Sequence, residues 1–362
     1  MQRIQIPEGD PQPAQVDLAV DAIVAGKMVV LPTETVYGLA VDPRRPPAVQ
    51  RLVKLKVRAP EQRFTHHLHD ISQVDDLAKA PRPRVRTFLE RFWPGPLTAI
   101  LNARDDLSDL RPADGTIGVR VPAQDFTRAV IKRMGTSLFM TSVNRAGEEP
   151  LAGPDAIAAG IPEVDLLFDA GPPHLGVPST VVRFVGDTTE VLREGLLTRN
   201  EVLVLVAAKV LFVCTGNTCR SPMAESIGRR LLAQKLGVAD DELLARGLLL
   251  TSAGAGTLPG MPVSPSAVEA MKERNFDLGG YRSQALLKEL IEAADRIYCL
   301  SQSHRRAVLV VAPEAADKTE LLRPDGKDIP DPFGAGIEVY RKIADEIAAT
   351  LSERQQDIRD LL

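Results

Sequence analysis

Residues 210–221 read Val-Leu-Phe-Val-Cys-Thr-Gly-Asn-Thr-Cys-Arg-Ser. An apolar run of strand length stops at Cys214, a polar turn follows, and Pro222, suited to the first turn of a helix, opens a helical stretch to Leu236. Strand, loop and helix in that order aim backbone N–H groups and the helix N-terminus at one spot, which is what an anion needs. A sulfur placed there is stabilised as thiolate, the form in which it is a nucleophile. Phosphate-ester hydrolysis through a covalent intermediate requires such a nucleophile, a cradle for three oxygens and an acid for the leaving group. Arg220, six positions after Cys214, offers a planar fork for two phosphate oxygens, and Ser221 offers a hydroxyl to the sulfur. Gly216 permits a positive φ, Asn217 can tie the loop internally, and Thr215 and Thr218 complete the cradle. The stretch reads as the phosphate-binding and nucleophile loop of a cysteine-dependent phosphatase.

Other chemistries do not fit these residues. A Walker loop needs Gly-Lys-Ser/Thr after the glycine, and zinc needs a second Cys/His pair at suitable spacing; neither is present. Cys214, Cys219 and Cys299 are too few for a disulfide framework, and Cys299 sits in an apolar strand as a core residue.

Outward from the loop, the second half alternates regularly. Strands are expected at 209–213 and 248–252, helices at 222–236 and 264–274, a helix end running into a strand at 293–299, and a long helix at 337–359. That order predicts a doubly wound parallel sheet. The first half is denser in proline, with strand-like runs at 28–31, 97–101, 117–121 and 180–184. The expected organisation is α/β in two domains, 1–205 and 206–362, with no Gly/Ser linker between them.

The full string Cys-Thr-Gly-Asn-Thr-Cys-Arg-Ser-Pro-Met-Ala-Glu (214–225) resembles the low-molecular-weight protein phosphatases, and the resemblance covers essentially all of 209–362. It implies that Asp331, in Asp331-Pro332, is the proton donor. It also implies that Ser252, within Thr251–Gly254, braces Asn217, and that Cys219 forms a reversible disulfide protecting the nucleophile. Thr218 and Phe333 stand where tyrosine phosphatases of this family usually carry an aliphatic residue and Tyr or Trp. At both points the chain resembles the bacterial protein-arginine phosphatases. A threonine hydroxyl is a polar, smaller wall beside a guanidinium, whereas an aliphatic side chain suits a ring. Phosphoarginine is therefore expected over phosphotyrosine, on phosphorylated proteins, with no cofactor.

In the first half, Leu-Pro-Thr-Glu-Thr-Val-Tyr-Gly-Leu (31–39), Lys56-x-Arg58, Phe-Trp-Pro-Gly-Pro-Leu-Thr (92–98), Thr-Ile-Gly-Val-Arg-Val-Pro (116–122), Ser142-x-Asn144, Gly-Val-Pro-Ser-Thr-Val-Val (176–182) and Leu-Arg-Glu-Gly (192–195) are individually ordinary. Together, in this order and spacing, they resemble the YrdC-like threonylcarbamoyl-adenylate synthases over about residues 10–200. The resemblance implies a YrdC-like twisted α/β domain that makes threonylcarbamoyl-adenylate and pyrophosphate from L-threonine, bicarbonate and ATP with Mg²⁺. The product would pass to downstream proteins that modify adenosine in tRNA. Lys56, Arg58 and Arg193 would meet the triphosphate, with Gln62, Thr116, Ser142 and Asn144 on the nucleotide side. Thr35, His67, Arg120 and Ser179 would hold threonine, Arg120 at its carboxylate. Gln62-Arg63 and Val143 depart from the family pattern. His67 and His69 would share a strand face, but three histidines without a fitting carboxylate do not make a metal site, and none is expected. A rival reading makes this half a catalytically silent module that binds nucleotide or RNA beside a phosphotyrosine phosphatase.

The charge pattern agrees with small-molecule chemistry. Residues 1–205 hold 24 Lys/Arg against 26 Asp/Glu, and the remainder 20 against 22, so neither half has the basic bias of a nucleic-acid grip. No apolar run reaches membrane-spanning length and no secretory signal pattern opens the chain, so a cytoplasmic protein without membrane partners is expected.

Overall fold

The computed structural model describes residues 1–57, 64–107, 114–145 and 147–362. They form two compact units, Met1–Val206 and Ala207–Leu362.

In the second unit four strands lie parallel, in the order Leu248–Gly254, Ala208–Cys214, Arg296–Cys299, Thr319–Leu321. Alternate residues of Ala208–Cys214 enter different cores. Val210, Phe212 and Cys214 pack with residues of the helices Arg220–Leu236, Pro265–Lys272 and Ile337–Arg359. Leu211 and Val213 pack with Lys288–Ala293 and Gln302–Val311. A sheet covered on both faces explains why this strand reads as a continuous apolar run rather than an alternating one. Phe212 stacks on Tyr298 with centroids 5.9 Å apart, and burying a side chain of this size is worth about 1.5–3 kcal/mol. The first strand lies between the second and third, so its carboxyl end, Cys214, stands at the switch point where ligands bind in open α/β sheets. The doubly wound parallel sheet is thus present. The helix Gln302–Val311 and the strand Thr319–Leu321 are additional to the expected elements.

The first unit holds ten strands among its described residues, in one mixed sheet. Their order is Gln2–Gln5, Leu166–Asp169, Val29–Leu31, Gly38–Val41, Leu138–Ser142, Thr65–His67, Thr116–Arg120, Leu97–Asn102, Thr180–Val185, Thr188–Arg193. The helices Pro13–Val24 and Asp125–Met134 contribute to one apolar cluster, Pro46–Lys56 and Pro154–Gly160 to another, and Pro83–Phe92 and Arg199–Val206 to a third. Register decides what meets: Gly38 pairs Ser142, His67 pairs Arg120, and Leu97 pairs Thr180. Those pairings bring the ends of six strands around one cavity.

Candidate active sites

Backbone geometry sets the nucleophile loop. The helix after it begins at Arg220, two residues before the expected start, so Arg220 and Ser221 belong to its first turn. Pro222 is tolerated there because first-turn N–H groups have no intrahelical acceptor in any case. Cys214 is buried; its Sγ accepts the Asn217 N–H at 3.2 Å and lies 3.0 Å from Ser221 Oγ. The left-handed residue is Asn217, at φ 50°, and Gly216, which could take that conformation, does not. The reason is the bonding of the Asn217 amide. Nδ2 donates to Ser221 Oγ at 2.9 Å and Ser252 Oγ at 3.0 Å. Oδ1 accepts from Gln284 N at 2.8 Å and Tyr281 OH at 3.2 Å. Asparagine tolerates this conformation better than other side chains, and four bonds hold it there. Ser252 in turn donates to Glu225 Oε2 at 2.8 Å, and burial pushes the Glu225 carboxyl above its ordinary range.

Arg220 donates from Nη1 to the Ile329 carbonyl at 3.0 Å and from Nη2 to Asp331 Oδ2 at 2.6 Å. Cation and acid therefore form one ion pair. Phe333 is 79% exposed next to them, its N–H bonded to Asp331 Oδ1 at 3.2 Å. The Thr218 carbonyl accepts from Ser264 N at 2.9 Å. Cys219 is buried, with Sγ 3.3 Å from Ser264 Oγ and 3.6 Å from Tyr340 OH, and all three cysteines are free thiols. Thr215 Oγ1 bonds the Nε2 of a buried histidine, His304, at 2.8 Å.

One glycine is required by contact. A Cβ on Gly254 would stand 2.8 Å from the Thr215 carbonyl oxygen and 3.0 Å from Asn217 N, both backbone atoms of the nucleophile loop. Gly254→Ala is expected to lower phosphatase kcat about 100-fold by displacing the loop on the order of an ångström. Steady-state kinetics checks this, with circular dichroism to show that the helices persist.

The first unit encloses a cavity of about 350 Å³ lined by Thr33, Thr116, His67, Arg120, Ser142, Ser179 and Arg193 among others. Arg120 is buried, bonding Glu34 Oε1 at 2.6 Å and Thr35 Oγ1 at 2.8 Å from Nη2, while its Nε has no partner. Glu34 Oε2 accepts the Ala123 N–H at 2.9 Å. Arg193 donates to the Ser179 carbonyl at 3.0 Å and to Ser179 Oγ at 3.2 Å, and Ser179 Oγ also lies 2.9 Å from Thr98 Oγ1. Burial, then repulsion from Arg120, lowers the Arg193 guanidinium below its usual range. Two cations, Arg120 and Arg193, thus line the cavity, a setting that favours an anionic ligand. Burial and the Arg120 charge lower His67 to about 3, so its imidazole is neutral at working pH.

Lys56 Nζ bonds the Ser142 carbonyl at 3.1 Å, the Asn144 carbonyl at 2.9 Å and Asn144 Oδ1 at 2.6 Å, and Ser142 Oγ reaches the same Oδ1 at 2.6 Å. Thr116 Oγ1 donates to Asp114 Oδ1 at 2.8 Å. Arg58 and Gln62 lie outside the described residues. His67 and His69 do not share a strand face, because the strand ends at His67. His67 lines the cavity, while His69 lines a separate open hollow with Asp70, Asp125 and Lys132. Among the described residues no group of three His, Cys, Asp or Glu is placed to hold a metal, and no helix is long and apolar enough to cross a membrane.

Two families match in succession. The family described as Sua5/yciO/yrdC, telomere recombination, matches residues 21–195, and the low-molecular-weight phosphotyrosine protein phosphatases match residues 209–360. A threonylcarbamoyl-AMP synthase of Nitrosococcus oceani is 36% identical over 137 residues, 38% of this chain and 74% of its own length. A protein-arginine-phosphatase of Geobacillus stearothermophilus is 39% identical over 151 residues, 40% of this chain and 92% of its own length. The chain belongs to both families. Each is a family of enzymes, so this is a fusion of a Sua5/YrdC-type part and a low-molecular-weight phosphatase part. The threonylcarbamoyl-AMP synthase of Bacillus subtilis is 30% identical over 205 residues, 56% of this chain, and the chain spans only 58% of that relative's length.

Several residues of both sites had no assigned role in the sequence. Glu34 lies inside the Leu31–Leu39 motif, and its pairing with Arg120, 86 positions on, was the missing information. Tyr281 and Gln284 bond Asn217, Glu225 bonds Ser252, and His304 bonds Thr215 from 89 positions away, with no local motif to mark it.

Proposed function

We propose that residues 1–205 form L-threonylcarbamoyladenylate from L-threonine, bicarbonate and ATP, and that residues 206–362 hydrolyse phosphoarginine in proteins through a cysteinyl-phosphate. The observation that carries the phosphatase reading is the convergence of Cys214 Sγ, Ser221, the Asn217 N–H and the Arg220–Asp331 pair at one strand end. The thiolate attacks phosphorus opposite the leaving guanidinium nitrogen, which takes its proton from Asp331. Arg220 and the loop N–H groups hold the equatorial oxygens. Water then cleaves the S–P bond with Asp331 as base, and Ser221 stabilises the departing sulfur. Thr218 in the loop, the open position of Phe333 and the identity to protein-arginine-phosphatases support arginine as the carrier of the phosphate.

For the first half, the cavity with Arg120, Ser179 and neutral His67 supports threonine binding by carboxylate and hydroxyl, with Arg193 on the same cavity for the triphosphate. The threonine amine adds to bicarbonate with loss of water, and the resulting carbamate oxygen attacks the ATP α-phosphorus, releasing pyrophosphate. Lys56, Ser142 and Asn144, with Arg58 and Gln62, would serve the nucleotide side. Mg²⁺ would arrive on the triphosphate, as that ion commonly does. The substrates are those of the cytoplasm, the compartment proposed, and the product would go to proteins that modify tRNA.

Phosphoarginine and phosphotyrosine peptides of one sequence distinguish the substrate classes. Phosphoarginine is expected to have kcat/KM at least about tenfold higher, a difference of 1.4 kcal/mol in transition-state binding. Thr218→Val is expected to narrow that ratio. Faster turnover of phosphotyrosine by the wild type would reject the arginine reading.

A further inference from the structure

We infer that His304 is a positioning residue of the phosphatase: its imidazole holds Thr215, the residue after the nucleophile, against a helix N-terminus that also holds the loop bearing Asp331. This rests on the phosphatase reading above and adds a residue to it.

His304 is buried, in the first turn of the helix Gln302–Val311. Its Nε2 lies 2.8 Å from Thr215 Oγ1 and its Nδ1 2.8 Å from Ser301 Oγ, which caps the same helix and lies 2.7 Å from Ser303 Oγ. Thr215 is exposed at the mouth of the loop. Without the histidine its hydroxyl would be free to turn toward water or an incoming phosphate.

The same helix end grips the other side of the site. The N–H of Gln302 donates to Asp328 Oδ1 at 2.8 Å, and Ile329 N donates to the Leu300 carbonyl at 2.9 Å. Two residues further lies Asp331, and Arg220 is anchored on the Ile329 carbonyl. Nucleophile loop, phosphate-gripping arginine and acid loop are thus referred to one rigid corner, through His304 on one side and Asp328 on the other. Preorganisation of this kind is what makes a few tenths of an ångström matter. Burial, with the Arg220 charge beside it, lowers His304 to about 4 against the opposing pull of Asp331 and Asp328. The imidazole is therefore neutral at working pH, with one nitrogen donating and one accepting. It adds no cation that would compete with Arg220 for the phosphate.

The test uses the full chain and a phosphorylated peptide, with His304→Ala, His304→Gln, Thr215→Val and the double variant His304→Ala/Thr215→Val. His304→Ala and Thr215→Val are each expected to lower kcat about tenfold with a smaller change in KM. His304→Gln, whose amide reaches the Thr215 hydroxyl, is expected to recover most of the loss. The double variant is expected to be no worse than His304→Ala alone, since both remove one interaction. Additive losses, a His304→Ala kcat within twofold of wild type, or a Gln variant as poor as Ala would each overturn the inference. If His304→Ala does not fold, Thr215→Val alone decides: a wild-type kcat rejects the role. Wild type that releases no phosphate, in assays where Cys214→Ser matches it, would overturn the phosphatase reading and this inference with it.

Discussion

Cys214→Ser abolishes release of phosphate from a phosphopeptide, with kcat expected to fall on the order of 10⁴-fold or more. Among the described residues Cys214 is the thiol at the loop that would form the covalent intermediate. Ser221 Oγ lies 3.0 Å away but has no base to activate it, because its partners are the Cys214 sulfur and the Asn217 amide. The cradle survives the change. The four side-chain bonds of Asn217 and the helix that starts at Arg220 do not involve sulfur, and the Asn217 N–H can donate to a serine oxygen in its place. Inorganic phosphate is therefore expected to bind the variant within a few-fold of wild type. Isothermal titration with phosphate, beside the kinetic assay, separates lost chemistry from lost structure.

The second large effect belongs to Arg120. Its guanidinium and the Glu34 carboxylate are 6% and 11% exposed and 2.6 Å apart. Arg120→Ala strips the buried Glu34 carboxylate of its cation and leaves it the Ala123 N–H. Breaking a buried pair from one side costs about 3–5 kcal/mol. A urea unfolding curve of the first unit's transition is expected to show a loss of that size. Threonine-dependent pyrophosphate release should vanish with it, since Arg120 is the cation proposed for the threonine carboxylate. The double variant Arg120→Met/Glu34→Leu tells the two roles apart. It removes both charges, so it is expected to recover most of the stability and none of the activity.

What the sequence made legible follows the distance over which each feature is determined. The Cys214–Ser221 loop is local, and strand, turn and helix signals within twelve residues were enough to read it. Its inner geometry was not local. Gly216 could take the left-handed conformation, which fell to Asn217 because Ser252, Tyr281 and Gln284 bond its amide from elsewhere in the chain. The helix start was placed at Pro222 from proline's preference for a first turn. Proline fits equally two residues inside that turn, so the preference alone does not fix the boundary. In the first unit, Thr35 and Arg120 were grouped by resemblance alone, and the fold sets them 2.8 Å apart. His67 and His69 were expected on one face because a longer strand was assumed; the strand stops at His67 and the chain turns away. His304 carried no signal, since a buried polar residue on a helix looks like any other until its partner is known.

The central claim is that one chain carries two separate activities, and one pair of assays on one preparation tests it most directly. Wild type and Cys214→Ser are each supplied with ATP, L-threonine and bicarbonate, and pyrophosphate is measured while a phosphoarginine peptide is followed in parallel. Both proteins are expected to release pyrophosphate at equal rates, only when threonine and bicarbonate are both present, and only the wild type to dephosphorylate the peptide. Pyrophosphate release that ignores threonine or bicarbonate, or peptide hydrolysis that survives in Cys214→Ser, would contradict it.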